Sequence, residues 1–171
     1  DALAASVRSH IEATNLTAPR VSIEPGRAIA ATAGLTLYTV GTIKQVQLEE
    51  GSRRYVSVDG GMSDNIRPAL YGADYTVALA SRDPSDETVV TRVVGKHCES
   101  GDIVVKDAAL SADLAPGDVL AVPATGAYGR SMASNYNLLP RPGVVAVRDG
   151  SARVLVRPES VSDLLALDAD A

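Results

Sequence analysis

The chain has 171 residues, 46% of them hydrophobic and 22% charged, which suits one domain with a real core, or slightly more than one. No apolar run approaches the roughly 18 residues of a membrane span, no secretory pattern is visible at the start, and a net charge of −5 argues against nonspecific nucleic-acid binding. The single cysteine excludes an intrachain disulfide and fits a reducing, cytoplasmic setting or a thiol with a chemical task.

Leu3, Val7 and Ile11 recur at helical spacing among alanines, which predicts a helix over about residues 1–14 that stops at Asn15 and Pro19. Val21-Ser22-Ile23 reads as a short strand entering Glu24-Pro25-Gly26-Arg27. The pattern then changes. Short β-branched runs at 35–46, 55–58, 75–80, 89–94, 103–105, 119–122, 144–147 and 154–156 are punctuated by Gly, Pro, Asp and Ser. They predict an antiparallel β-sandwich or barrel, closed by a helix over 161–167 and a frayed end at 169–171. One helix and one strand cannot close a parallel sheet, and the sequence opens on Asp1. The expectation is that residues 1–34 end a larger α/β unit, and that 35–171 form a mainly β domain. The chain has no Phe and no Trp, so its six Tyr are its only aromatics.

Four segments carry polar residues that a plain β domain does not need. In Glu24-Pro25-Gly26-Arg27, glycine permits close approach of a ligand and Arg27 can grip a carboxylate, or the segment is a turn with a surface arginine. In 58–72, Arg67 and Tyr71 stand four apart and would share a helical face toward an anion. Alternatively, this is a long polar connection in which Arg67 pairs with Asp64. In 95–102 the only cysteine, Cys98, adjoins one of two histidines, His97. The two can be a nucleophile pair, but neighbours on a strand point apart, and one Cys with one His falls short of a structural metal site. A small buried Cys in a turn is the other reading. In 123–129, Tyr128 among small residues can cover a flat ring or bind a phosphate, or else pack on the core.

Taken together and in this order, the segments resemble the diaminopimelate decarboxylases, and the wording of Val58–Tyr71 and Gly95–Asp102 is closest to actinobacterial forms. This family lies in the alanine-racemase-like group of pyridoxal-phosphate decarboxylases. The resemblance runs from about Val21 to Leu167. Glu-Pro-Gly-Arg is shared across the group, whereas His-Cys-Glu-Ser-Gly-Asp is more particular to the diaminopimelate branch. The resemblance implies the last helix and strand of a β/α barrel, followed by the C-terminal β domain. It implies that Glu24, Gly26, Arg27 and Tyr128 contact pyridoxal phosphate. Arg27, Arg67 and Tyr71 would hold the distal carboxylate of meso-diaminopimelate, Glu99 its distal ammonium, and Tyr128 would also touch substrate. Cys98 would reprotonate the α-carbon after carbon dioxide leaves. A homodimer with a shared active site is implied, because in the family the Cys-Glu segment enters the other subunit's site. No metal is implied.

Departures from the family bear on activity. Lys44, Lys96 and Lys106 are the only lysines, and none has the family's Schiff-base context. The chain alone is therefore expected to be inactive and to require an N-terminal barrel half. Gly129-Arg130 follows Tyr128 where the family commonly has Cys-Tyr, and Ala31-Thr32 stands where it commonly has Gly-Pro. Two other functions fit less well: a related decarboxylase acting on ornithine, arginine or carboxynorspermidine, and a non-catalytic β module that binds a partner or small anion.

Overall fold

The computed structural model describes residues 2–169, so the expectations for Asp1 and for residues 170–171 lie outside the described residues. Helix α1 (Ala2–Thr14) buries no residue fully. Its half-buried Val7 and Ile11 face Leu16, Pro19 and Val21 across a shallow recess. The strand expected at Val21–Ile23 does not form: the segment belongs to neither sheet, and Val21 and Ile23 are exposed. β-Branched residues favour a strand, but only a neighbour's N–H and C=O groups make one, and no described strand runs beside this segment. Helix α2 (Gly26–Ala30) and a 3-10 turn (Ala31–Ala33) then lead into the sheet.

The domain is mainly β, with a six-stranded sheet curled into a nearly closed barrel. It comprises β1 (Leu35–Gln47), β2 (Ser52–Val58), β3 (Ala78–Leu79), β4 (Thr88–Val94), β5 (Ile103–Ser111) and β6 (Val119–Pro123), in the order β3-β6-β1-β2-β4-β5. β1 is long because it serves two ladders. Its residues 35–39 pair with β6, and Val40 with residues 43–47 pair with β2. Within the second ladder the register slips at Gly41–Thr42, where the Ser57 hydroxyl accepts from the Thr42 N–H at 2.8 Å. Such a bulge bends a strand and turns a barrel corner. The expected all-antiparallel order is corrected at one place: β2 and β4 run parallel. Helix α3 (Arg67–Tyr71) and β3 lie in the connection between them and bring the chain back in the same direction.

Alternation sets the core. β2 turns Arg54, Val56 and Val58 inward, β4 turns Thr91 and Val93, and β6 turns Leu120 and Val122. The apolar members of this set form one cluster, built largely of valine, with Tyr38, Val40, Tyr75, Val104, Val105, Leu110 and Leu114. Among the described residues Arg54 has no carboxylate partner. Its guanidinium donates to Thr91 Oγ1 at 2.7 Å and to the carbonyls of Leu110, Ser111 and Ala112 at 3.0, 2.9 and 3.2 Å, which ties β2 to β4 and β5.

Two strands, β7 (Val144–Arg148) and β8 (Ser151–Val156), form a separate hairpin. Asp149 and Gly150 both take positive φ, as a two-residue hairpin turn requires. Glu159 anchors its base, accepting from Asn135 Nδ2 at 2.6 Å and from the backbone N–H of Arg141 at 2.8 Å, with the Arg141 guanidinium as a third donor. The closing helix α5 (Val161–Leu165) starts at a Ser160–Asp163 capping box and is two residues shorter than expected.

Candidate active site

The loop after β2 is fixed before it reaches Arg67. Asp64 accepts from Tyr38 Oη at 2.5 Å and from Gly61 N–H at 2.7 Å. Burial pushes the Asp64 carboxyl up and, with that carboxylate beside it, the Tyr38 phenol well up. Asp64 is thus engaged with Tyr38, and the alternative pairing with Arg67 does not occur. Pro68 in the first turn and a left-handed Gly72 at the end define α3, which places Arg67 and Tyr71 on one turn, as their spacing predicts. The Arg67 guanidinium lies 5.1 Å from the Tyr71 ring centre and 5.9 Å from that of Tyr128. Among the described residues its Nε is buried with no partner, and so is the side-chain amide of neighbouring Asn65.

Tyr128 reaches this group through a close backbone crossing. Gly126 N–H donates to Ala31 O at 3.0 Å, and a Cβ on Gly126 would run into the carbonyl of Ala30. The crossing sets the 124–128 loop against α2. There the Tyr128 hydroxyl lies 3.6 Å from where a Cβ on Gly26 would stand. Tyr128 holds φ 61° and is about half exposed, so it does not pack on the core. A left-handed tyrosine is strained, and such strain concentrates at functional positions. Its hydroxyl makes no hydrogen bond among the described residues. Helix α4 (Gly129–Met132) follows immediately and carries the departure Gly129-Arg130, in which Arg130 Nε is also buried without a partner.

The third group is the 95–102 turn, organised around Asp102. This buried carboxylate accepts from Met62 N–H at 2.7 Å, His97 N–H at 2.9 Å and His97 Nδ1 at 2.7 Å. Gly61 and Gly95 pass so close that a Cβ on either would collide with it. His97 is drawn inward and Cys98 outward, so the two do not form a nucleophile pair; Cys98 is exposed rather than buried. Cys98 Sγ lies 3.9 Å from Glu99 Oε1. The same oxygen accepts from Tyr136 Oη at 2.5 Å, and this bond holds the Glu99 carboxyl below its usual range. Glu99 Oε2 is buried and unpartnered.

Of the residues predicted from sequence, the structure brings together Gly26, Arg67, Tyr71 and Tyr128 in one group, and Cys98 with Glu99 in another. Glu24 and Arg27 are exposed and their side chains bond to no member of either group; the Gly26 N–H is engaged by the carbonyl of Glu24 at 2.9 Å. Tyr136, His97 and Asp102 are the residues whose connection to Glu99 the sequence did not reveal. Among the described residues no cluster of metal-ligating side chains occurs, and no helix is long and apolar enough to cross a membrane.

What this arrangement offers is polarity without partners. Two buried guanidinium nitrogens, Arg67 Nε and Arg130 Nε, and one buried carboxylate oxygen, Glu99 Oε2, lack a mate among the described residues, and a free phenol and a thiol are exposed. Buried polar groups are normally satisfied, so each orphan marks a place where a group from outside the chain could supply the missing partner.

Comparison with known proteins fits this picture. The family model described as pyridoxal-dependent decarboxylase, C-terminal sheet domain, matches residues 21–126. The diaminopimelate decarboxylase of Mycobacterium tuberculosis H37Rv is 56% identical over 157 residues, covering 91% of this chain and 35% of the relative. That of Corynebacterium efficiens is 54% identical over 154 residues, covering 90% and 34%. The crystal structure of diaminopimelate decarboxylase from M. jannaschii in complex with L-lysine superposes with a TM-score of 0.80 at 34% identity, covering 95% of this chain and 36% of that one. The chain thus spans about a third of the length of the curated relatives it matches. On fold, motif order and sequence, the chain belongs to the pyridoxal-dependent decarboxylases, within their C-terminal sheet domain family.

Proposed function

We infer that the chain is the C-terminal part of a pyridoxal-phosphate enzyme that converts meso-diaminopimelate to L-lysine and carbon dioxide, acting as a cytoplasmic homodimer. The observation that carries this reading is that Arg67 Nε and Glu99 Oε2, on two residues the motifs mark for the distal centre, are among the buried polar atoms without a partner in the described residues. A diaminopimelate bound at one amino-acid centre presents a second carboxylate and a second ammonium, which are the charges these two atoms lack. The extent of the match to curated relatives of that name supports the same substrate. Residues 1–34 would complete an N-terminal barrel, and residues 35–171 would supply the β domain.

The residues present fit the cofactor. The unpaired Tyr128 hydroxyl beside Gly26 suits a phosphate or ring oxygen. Contact through the Gly26 N–H would replace its bond to Glu24 O. When bound, pyridoxal phosphate supplies the electron sink for decarboxylation. The chain's own residues do the rest. Arg27, Arg67 and Tyr71 grip the distal carboxylate, and Glu99 receives the distal ammonium. Cys98 Sγ, exposed beside Glu99, gives its proton to the substrate α-carbon; a thiol is an adequate acid at neutral pH. In the dimer, each chain lends Cys98 and Glu99 to the group around its partner's Arg67. A substrate without the distal carboxylate would leave Arg67 unpaired, which is the source of discrimination against monocarboxylic analogues.

The test is complementation. The chain is mixed with the corresponding N-terminal barrel and pyridoxal phosphate, and lysine is measured. Lysine formed by the pair and not by the chain alone supports the reading. Turnover of ornithine or arginine in preference to diaminopimelate would reassign the substrate, and a pair that assembles without any decarboxylation would leave a non-catalytic β module.

A further inference from the structure

We propose that Tyr136 is a positioning residue that presets Glu99 for the distal ammonium of the substrate, with the His97–Asp102 pair as its foundation. The inference rests on the reading of Glu99 given above and adds a residue to it. Glu99 sits in a tight turn, with Asp102 N–H donating back to its carbonyl at 3.0 Å, so the backbone does not fix where the carboxylate points. Tyr136 fixes it. The phenol donates into Oε1 at 2.5 Å and leaves Oε2, buried and unpartnered, as the one oxygen free to meet a donor.

Tyr136 is itself held, although it is partly exposed. That ring stacks on the His97 imidazole, with centres 5.7 Å apart and planes 21° from parallel. His97 has a fully buried side chain and is locked by Asp102 through Nδ1 at 2.7 Å. Asp102 in turn takes Met62 N–H at 2.7 Å, from the loop that leads to Arg67. A continuous set of contacts therefore runs from the Arg67 loop through Asp102, His97 and Tyr136 to Glu99. Recognition of an ammonium by a carboxylate gains from an acceptor already aimed, because the side-chain entropy is lost before binding.

Tyr136→Phe keeps the ring and its stacking and removes only the donated proton. In the reconstituted holoenzyme it should raise KM for meso-diaminopimelate about tenfold, the scale of one charge-assisted hydrogen bond, with kcat within about twofold. The Ki of 2-aminopimelate, which lacks the distal amine, should not change. In the isolated chain, carbon-detected NMR titration should show the Glu99 carboxyl moving to higher pKa in the variant. An unchanged KM, an equal rise in the 2-aminopimelate Ki, or an unmoved Glu99 titration would overturn the proposal. A wild-type pair without activity on diaminopimelate would refute the substrate reading instead, and the titration alone would then decide whether Tyr136 presets Glu99.

Discussion

Asp102→Ala should cost far more stability than its size suggests. The carboxylate satisfies three donors: Met62 N–H, His97 N–H and His97 Nδ1. All three surround a residue that is 3% exposed, so water cannot readily replace it. An orphaned buried donor costs about 1–1.5 kcal/mol at the conservative end, which makes the loss about 3–5 kcal/mol. For a chain of this length that is roughly 10 °C in Tm. Asp102→Asn retains one acceptor oxygen. Whichever way the amide turns, its NH2 faces at least one N–H, so about half the loss is expected. The chain has no Trp, so urea unfolding is best followed by circular dichroism or tyrosine emission. Ser100→Ala, exposed in the same turn, is the control. An Asp102→Ala variant within about 1 kcal/mol of the parent would show that the carboxylate does not organise this turn.

Two further outcomes follow. Arg67→Ala, in the reconstituted enzyme, should reduce kcat/KM for diaminopimelate by roughly a hundredfold, the scale of a lost bidentate carboxylate pair, while a monocarboxylate analogue changes little. Equal losses for both would remove Arg67 from distal recognition. Acid should loosen the base of the hairpin through Glu159, whose carboxyl is held down to about 2, first by the Arg141 guanidinium and then by the Arg141 N–H and Asn135. An unfolded Glu titrates near ~4.3, so between these values the unfolded chain binds more protons. The Glu159 contribution is therefore complete above about pH 5 and fades as pH falls toward 2. The urea midpoint of the parent should fall more steeply over that window than that of Glu159→Gln. Parallel profiles would contradict the assignment.

What the sequence made legible was local. Period-two alternation marks Val56 and Val58 as inward, and carried two residues back it also places Arg54 on that face, a signal that was available for this buried arginine. Helical spacing joined Arg67 to Tyr71. Pairing across distance was not legible. Nothing within β2 or β4 says that they run parallel, since the connection between them decides it. The run at 75–80 shrank to Ala78–Leu79, because only those residues meet β6, whereas β5 extends to Ser111 along β4 despite a polar middle. Tyr136 escaped notice for the same reason: 37 residues separate it from Glu99, and no periodicity links them.

The bend in β1 has a consequence for how the domain comes apart. Residues 35–39 and 43–47 are one strand with two clients, β6 on one side and β2 on the other. The bend that separates the two clients is therefore shared by both ladders, and a substitution that straightened it would disturb the pairing of β6 and of β2 together. The loops bearing Arg67, Cys98 and Tyr128 all leave from strands of this one sheet. Loss of that sheet would therefore remove the scaffold of all three at once.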